Sequence, residues 1–258
     1  MFVGVGIGVG RQRVSGGGGF DSDYQAVLNY ATTQGYTLPS AGQQVKQNQL
    51  ILDFKSTGFW DKSQSIAVFA TDANSNFALI DWKRLSLLTP NSSPVFTTNL
   101  GFKGDGLASW INTNFPASNL SDNDASVGVH IESIGIASAP YIVGNSGIVG
   151  LRIRRSMSNN NQLKTSGTTS ASVDMSGSGF KMISKISSGN LALQNSTTRT
   201  AVTATDGAST ADINLLRWGT SAGSYSDDRI SFYFAGASID GSIYTNMRTA
   251  YLNYLNSL

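Results

Sequence analysis

The chain has 258 residues, of which 13% are charged, with a formal net charge of +2, 28 glycines and no cysteine. So small a charge excludes a field able to hold nucleic acid or an anionic membrane, and the missing cysteine excludes disulfides and thiolate metal sites. No apolar run reaches the length of a membrane span, and abundant Gly, Ser, Thr and Asn favour short strands joined by turns, in one sandwich domain with appendages.

Residues 1–19 read as a separate arm. Val3, Val5, Ile7 and Val9 alternate with Gly4, Gly6, Gly8 and Gly10, so an extended arm presents β-branched side chains on one face and bare backbone on the other. Arg11 and Arg13 follow, then Gly16 to Gly19 as a flexible joint. The pattern suits an anchor that adds a strand to a neighbouring subunit, or else an edge strand or unstructured start of the same domain. No basic n-region or small-residue cleavage site marks these residues as a secretory signal.

Residues 20–64 read as a helical hairpin. Asp21 or Ser22 caps a first helix with Tyr24, Val27, Leu28 and Ala31 on one side, and Gly35 suits its end. Pro39 and Ser40 separate it from a second helix with a looser stripe of Val45, Leu50, Ile51, Phe54 and Lys55, ended by Gly58. A hairpin this short needs a packing partner, with Phe59 and Trp60 as its foot.

From residue 65 the pattern turns to strands. Candidates are 66–70, 77–82, 95–100, 109–114, 125–133, 139–143, 148–154, 180–186, 191–194, 213–217 and 229–235, spaced by Gly, Asn and Ser clusters as in a sandwich or jelly roll. Pro90 to Pro94 are read as a turn, because proline lacks the ladder donor. Asp105-Gly106 reads as the tight turn of a hairpin joining the strands on either side. Residues 156–179 form a polar loop or two weak strands, and Asp240 to Ser242 cap a C-terminal helix carrying Ile243, Met247, Ala250, Tyr251 and Tyr254.

A resemblance adds to this reading. The Phe102-Lys103-Gly104-Asp105-Gly106 turn, followed by a Trp110-Ile111 strand ending in Thr113-Asn114-Phe115, resembles the opening of concanavalin A-like, or laminin G-like, jelly-roll domains. The chain as a whole is similar to virion structural proteins of tailed and related bacteriophages, especially those infecting Bacteroidetes. The similarity is carried by Phe20 to Ala26, Tyr36 to Ser40, Phe69 to Asp72, Ala78 to Lys83, Thr97 to Phe102 and Phe232 to Ala237. It implies a mainly β, concanavalin A-like antiparallel sandwich over 65–258 with its C-terminal helix. It further implies a non-enzymatic protein of the virion surface, made in the host cytoplasm without a signal peptide, attached to other virion proteins through its arm and homo-oligomeric. Host-surface glycans are the expected ligands; a stand-alone lectin is the alternative, and a polysaccharide-degrading enzyme the least favoured.

The residues with chemistry support binding over catalysis. Glu132 is the only glutamate, whereas glycosidases of this fold need two carboxylates across the sugar. The close pairs Asp21/Asp23, Asp122/Asp124 and Asp227/Asp228 fall at helix starts or in turns, where Asp accepts backbone hydrogen bonds. His130, the only histidine, lies two residues from Glu132 and shares its strand face, a structural pairing rather than a general base. No Lys-Ser/Thr pair closes the Gly4-to-Gly10 alternation into a phosphate loop. Laminin G-like domains hold Ca²⁺ at the sandwich rim, which makes Asp122 and Asp124 candidate ligands; no other cofactor is implied. Aromatic faces are the natural sugar platforms. Trp82 and Trp110, within strands, read as core, leaving Trp218 and Tyr225 around a Gly/Ser loop as the candidate glycan residues. Arg152 and Arg154 share one strand face, opposite Ile153, with Arg155 beside them.

Overall fold

The computed structural model describes residues 19–137, 140–145, 150–155, 161–166, 173–207, 210–219 and 224–258. The proposed anchor residues Val3, Val5, Ile7, Val9, Arg11 and Arg13 lie outside them. The helices are α1 (Ser22–Thr33), α2 (Ala41–Ser56), α3 (Phe59–Lys62), α4 (Ser75–Ala78) and α5 (Gly241–Leu255). The strands are β1 (Ser63–Val68), β2 (Ile80–Asp81), β3 (Ser86–Leu87), β4 (Thr89–Asn91), β5 (Val95–Thr97), β6 (Gly101–Lys103), β7 (Trp110–Pro116), β8 (Ala125–Ser133) and β9 (Tyr141–Gly144). They continue with β10 (Leu151–Arg154), β11 (Gln162–Leu163), β12 (Thr165–Ser166), β13 (Gly179–Ser187), β14 (Asn190–Gln194), β15 (Arg199–Thr203), β16 (Thr205–Asp206), β17 (Asp212–Leu215) and β18 (Arg229–Gly236).

Two antiparallel sheets form a sandwich. The first runs β15-β14-β13-β8-β18-β6-β5, with β1 also beside β18, and the second runs β11-β10-β9-β17-β7-β4. Val127, Val129, Ile131, Ile183, Tyr233 and Ala235 of the first sheet meet Ile111, Ile153, Ile213 and Leu215 of the second in the core between them. The antiparallel sandwich, the N-terminal helical pair and the C-terminal helix expected from the sequence are all present.

The first sheet is buried on its other face as well. Phe180 and Met182 of β13, Phe232 and Phe234 of β18, and Ile66 and Val68 of β1 pack there against α1, α2, α3 and α5. A register shift between Ile230 and Phe232 puts these residues, two apart in sequence, on opposite faces of the sheet. Phe232 lies within an aromatic cluster, 4.6 Å from Tyr251 and 5.8 Å from Phe54 between ring centroids. The expected foot of the hairpin is here: Phe59 stands 4.8 Å from Phe54 and 5.1 Å from Phe234, edge to face.

The caps act where their residue types suggest. Asp21 accepts from the Asp23 amide, Ser40 from the Gln43 amide, and Asp240 from the Ser242 and Ile243 amides. In α2 the buried face differs from the expected stripe: Val45 is 61% exposed, while Gln43 and Gln47 are buried. Gln47 accepts from the Tyr24 hydroxyl at 2.7 Å and donates to Thr71 and Tyr254, and Gln43 donates to Tyr254 at 3.1 Å. Amides paid for by hydrogen bonds occupy places that periodicity assigned to apolar side chains.

Three strand expectations are corrected. Residues 77–82 are not one strand, because Asn74 caps the amide of Phe77 and starts the single turn α4 before β2. Pro90 lies within β4, opposite Ile111, where an edge strand tolerates the missing donor. Asp105-Gly106 is a tight turn but no hairpin: Asp105 Oδ1 accepts the amides of Leu107, Ala108 and Ser109, each at 2.8 Å, and Gly106 has φ +74°. The turn carries the chain from β6 in the first sheet to β7 in the second.

Candidate functional site

Helices cover the outer face of the first sheet, and the corresponding face of the second sheet is where the half-exposed aromatic residues gather. Because Ile111, Ile153, Ile213 and Leu215 point into the core, alternation turns Trp110, Asn112, Arg152, Arg154 and Asn214 outward. Asn214 lies directly opposite Asn112 on one side and Gly144 on the other, and Gly144 also lies opposite Arg152.

Gly144 leaves room for Trp218. A Cβ on it would stand 2.6 Å from Trp218 Cβ and 2.7 Å from Trp218 Cδ1, so the indole rests on bare backbone. Tyr141 lies 4.8 Å from the indole at an interplanar angle of 37°, and the Arg152 guanidinium is 5.0 Å from its centroid. Arg154 in turn sits 5.2 Å from the Tyr141 ring. Burial draws the pKa of Arg152 below its ordinary value, Tyr141 opposes this and Arg154 adds to it; its Nε is buried without a hydrogen-bond partner among the described residues.

A second group adjoins the first. Leu216 has φ +64°, which breaks the alternation so that Leu215 and Leu216 both reach the core and Arg217 turns outward. Its guanidinium lies 4.2 Å from the Trp110 ring and 5.7 Å from the Tyr225 ring. Arg217 bridges to Tyr225 in the backbone, and Trp218 N donates to Ser224 O at 2.8 Å, so the segment doubles back on itself. Both predicted glycan residues, Trp218 and Tyr225, are half-buried on this face. Trp110, read as core from the sequence, is half-exposed beside them, and Tyr141 and Arg217 were not foreseen. Trp110 was findable, since an inward Ile111 requires an outward Trp110.

The face is chemically suited to a polar ligand with apolar patches. Indole and phenol rings offer surface for the C–H face of a sugar, and the half-exposed side chains of Asn112, Arg152 and Arg154 place polar groups among them, while Arg217 and Asn214 are buried beneath. Asp212 also borders it, with Oδ2 accepting from Asn112 Nδ2 at 3.0 Å.

Other candidates serve the fold. His130 Nδ1 is 2.7 Å from Ser231 Oγ and 3.7 Å from Glu132 Oε2, beneath Phe180 and Tyr251. Burial, with Arg248 and Lys181 adding to it, lowers its pKa to about 4, while burial raises that of Glu132 against the pull of Arg229. Asp122 pairs with Lys164 at 3.1 Å and Asp124 accepts the Ser238 amide at 2.7 Å. The two proposed Ca²⁺ ligands therefore face different partners, and among the described residues no group of three His, Asp or Glu side chains gathers. Asp21 and Asp23 both hold Lys55 at 2.6 Å. Asp227 accepts the amides of Ile136 and Ala137, and Asp228 accepts that of Gly135. Arg155 leaves the cluster formed by Arg152 and Arg154 and turns inward, its Nε 2.9 Å from Asp228. Trp60 and Trp82 are buried in the helical layer.

No family model matches the sequence, and no curated protein matches it. Among solved structures, the chain is similar to domain 4 of AbnA, a GH43 extracellular arabinanase from Geobacillus stearothermophilus, in complex with arabinotriose, at 11% identity and TM-score 0.46, over 72% of this chain and 98% of that one. It is also similar to the binding domain of botulinum neurotoxin DC in complex with SialylT, at 12% identity and TM-score 0.48, over 75% of this chain and 52% of that one. Trypanosoma rangeli sialidase in complex with the inhibitor DANA matches at 11% identity and TM-score 0.45, over 81% of this chain and 38% of that one.

Proposed function

We propose that the protein binds glycans on the outer face of its six-stranded sheet and does so as a surface component of a phage particle. The glycan reading is carried by one observation: Trp218 lies on the bare backbone of Gly144, continuous with Tyr141 and Arg152 and next to the Trp110, Arg217 and Tyr225 group. Rings held in place by backbone and by guanidinium contacts are ordered before a ligand arrives, which lowers the entropy lost on binding. The particle reading rests on the sequence resemblance. A binding role without catalysis is supported by the placement of Glu132 and His130 in the first sheet beneath α5, away from the aromatic face.

A glycan array with the full chain, followed by calorimetry on the best ligand, tests the binding reading. Trp218→Ala and Tyr225→Ala should each weaken binding at least tenfold while the melting temperature falls by only a few degrees. Unchanged affinity in both variants refutes the assignment of this face. Mass spectrometry of purified particles tests the second part: stoichiometric presence supports it, and protein found only free in the lysate leaves a soluble lectin as the reading.

A further inference from the structure

An open cavity of about 400 Å³ lies between the turn joining β14 to β15 and the start of α5, in the helical layer rather than on the aromatic face. Ser196, Thr197, Arg199, Tyr244, Thr245 and Arg248 contribute to its wall. Tyr244, Thr245 and Arg248 reach it from one side of α5 because residues three and four apart share a helix face. The opposite wall is well held. Gln194 Nε2 donates to Asn195 O and Thr198 O, Asn195 Oδ1 accepts the amides of Thr197 and Thr198, and the Tyr244 hydroxyl donates to Asn195 O at 2.9 Å.

Residues on both sides of the cavity carry donors without acceptors. Arg199 Nη2 donates to Ile239 O at 2.9 Å, but Arg199 Nη1, Arg248 Nε and Ser196 Oγ are buried and have no hydrogen-bond partner among the described residues. Neither arginine forms an ion pair with a described carboxylate. Asp240 is the nearby acid, and its carboxylate is already engaged by the Ser242 and Ile243 amides. The helix end is thereby capped, so the attraction for an anion comes from the side chains. Two guanidinium groups and a hydroxyl around one cavity match the donors that a tetrahedral oxyanion accepts. Burial lowers the pKa of Arg199, with Asp240 and Tyr244 opposing, in keeping with a cation whose neighbours do not fully compensate it.

We propose that this cavity binds a phosphate or sulfate group between the guanidinium groups of Arg199 and Arg248, with Ser196 and Thr245 at its sides. The site is independent of the aromatic face. Calorimetry on the full chain at low ionic strength tests it, with inorganic phosphate and sulfate against chloride at matched ionic strength. Saturable one-to-one binding that weakens at least tenfold in Arg248→Gln and persists in Trp218→Ala upholds the proposal. Heats equal to those of chloride, or equal affinity in Arg248→Gln, overturn it. Amide chemical shifts of wild-type Ser196, Thr197 and Thr245 during phosphate titration give a second readout that needs no variant; if they stay still, the site is refuted. A monosaccharide 6-sulfate or 6-phosphate that binds more tightly than the free ion identifies the source as an ester, and the reverse order identifies the free ion.

Discussion

Replacing Gly144 with alanine probes the construction of the aromatic face most directly. The added methyl carbon would stand 2.6 Å from Trp218 Cβ, 2.7 Å from Trp218 Cδ1 and 3.0 Å from Arg217 O. Ordinary carbon contacts need about 3.5–4.0 Å, so Trp218, its Cβ and backbone included, has to shift by roughly an ångström away from the sheet. Overpacking of this kind costs about 1–3 kcal/mol. For a chain of this length each kcal/mol lowers Tm by roughly 2–4 °C, and a fall of roughly 2–12 °C is expected. Thermal denaturation measures it, and tryptophan emission should shift to the red as Trp218 gains solvent, because Trp60 and Trp82 stay buried. In a Trp218→Gly background, where both Cβ and Cδ1 of residue 218 are gone and Arg217 O at 3.0 Å is the contact left, the same glycine change should cost much less, leaving a coupling of about 1 kcal/mol or more. Glycan affinity should fall in Gly144→Ala as far as in Trp218→Ala. Strictly additive effects on Tm, with unchanged emission, would refute the packing of Trp218 on Gly144.

Three further outcomes follow from the interior. Asp228→Asn leaves the buried Arg155 guanidinium without its carboxylate and should cost about 3–5 kcal/mol in urea denaturation; a loss under about 1 kcal/mol would show the pair to be dispensable. His130 has a folded pKa of about 4 against an ordinary 6.5, so between these values the unfolded chain binds more protons and stability falls as pH is lowered from 6.5 to 4. The loss amounts to about 3 kcal/mol, is opposed in part by Glu132, whose folded pKa is raised, and should shrink in His130→Gln; a variant with the same pH slope as wild type counts against it. Phe232→Ala removes the ring shared by Phe54, Phe59, Phe180 and Tyr251 and should cost about 3–5 kcal/mol with loss of near-ultraviolet circular dichroism; a cost below about 1 kcal/mol would mean that the helices are held mainly elsewhere.

Local chemistry was legible where its cause is local. Asp21 and Asp240 cap helices because the acceptor and the free amides lie within three residues of one another. Arg152 and Arg154 opposite Ile153 follow from the strand period alone. The hairpin expected at Asp105-Gly106 failed for the opposite reason, since a tight turn sets the local direction of the chain but not which sheet receives the next strand. Gln43 and Gln47 were unreadable as buried residues because their partners, Thr71 and Tyr254, are remote in sequence.

By itself the sequence determined the class of fold, the caps and much of the inward and outward alternation, because these depend on spacing and on residue type. Only the tertiary structure decided what each outward face meets. Phe232 and Phe234 on one sheet, and Trp110 and Tyr141 on the other, are all aromatic residues on strand faces turned away from the central core. The first pair is buried because α2, α3 and α5 fold back over it, whereas the second stays half-exposed beside arginines. That difference arises from contacts between segments far apart in the chain, which no local pattern encodes.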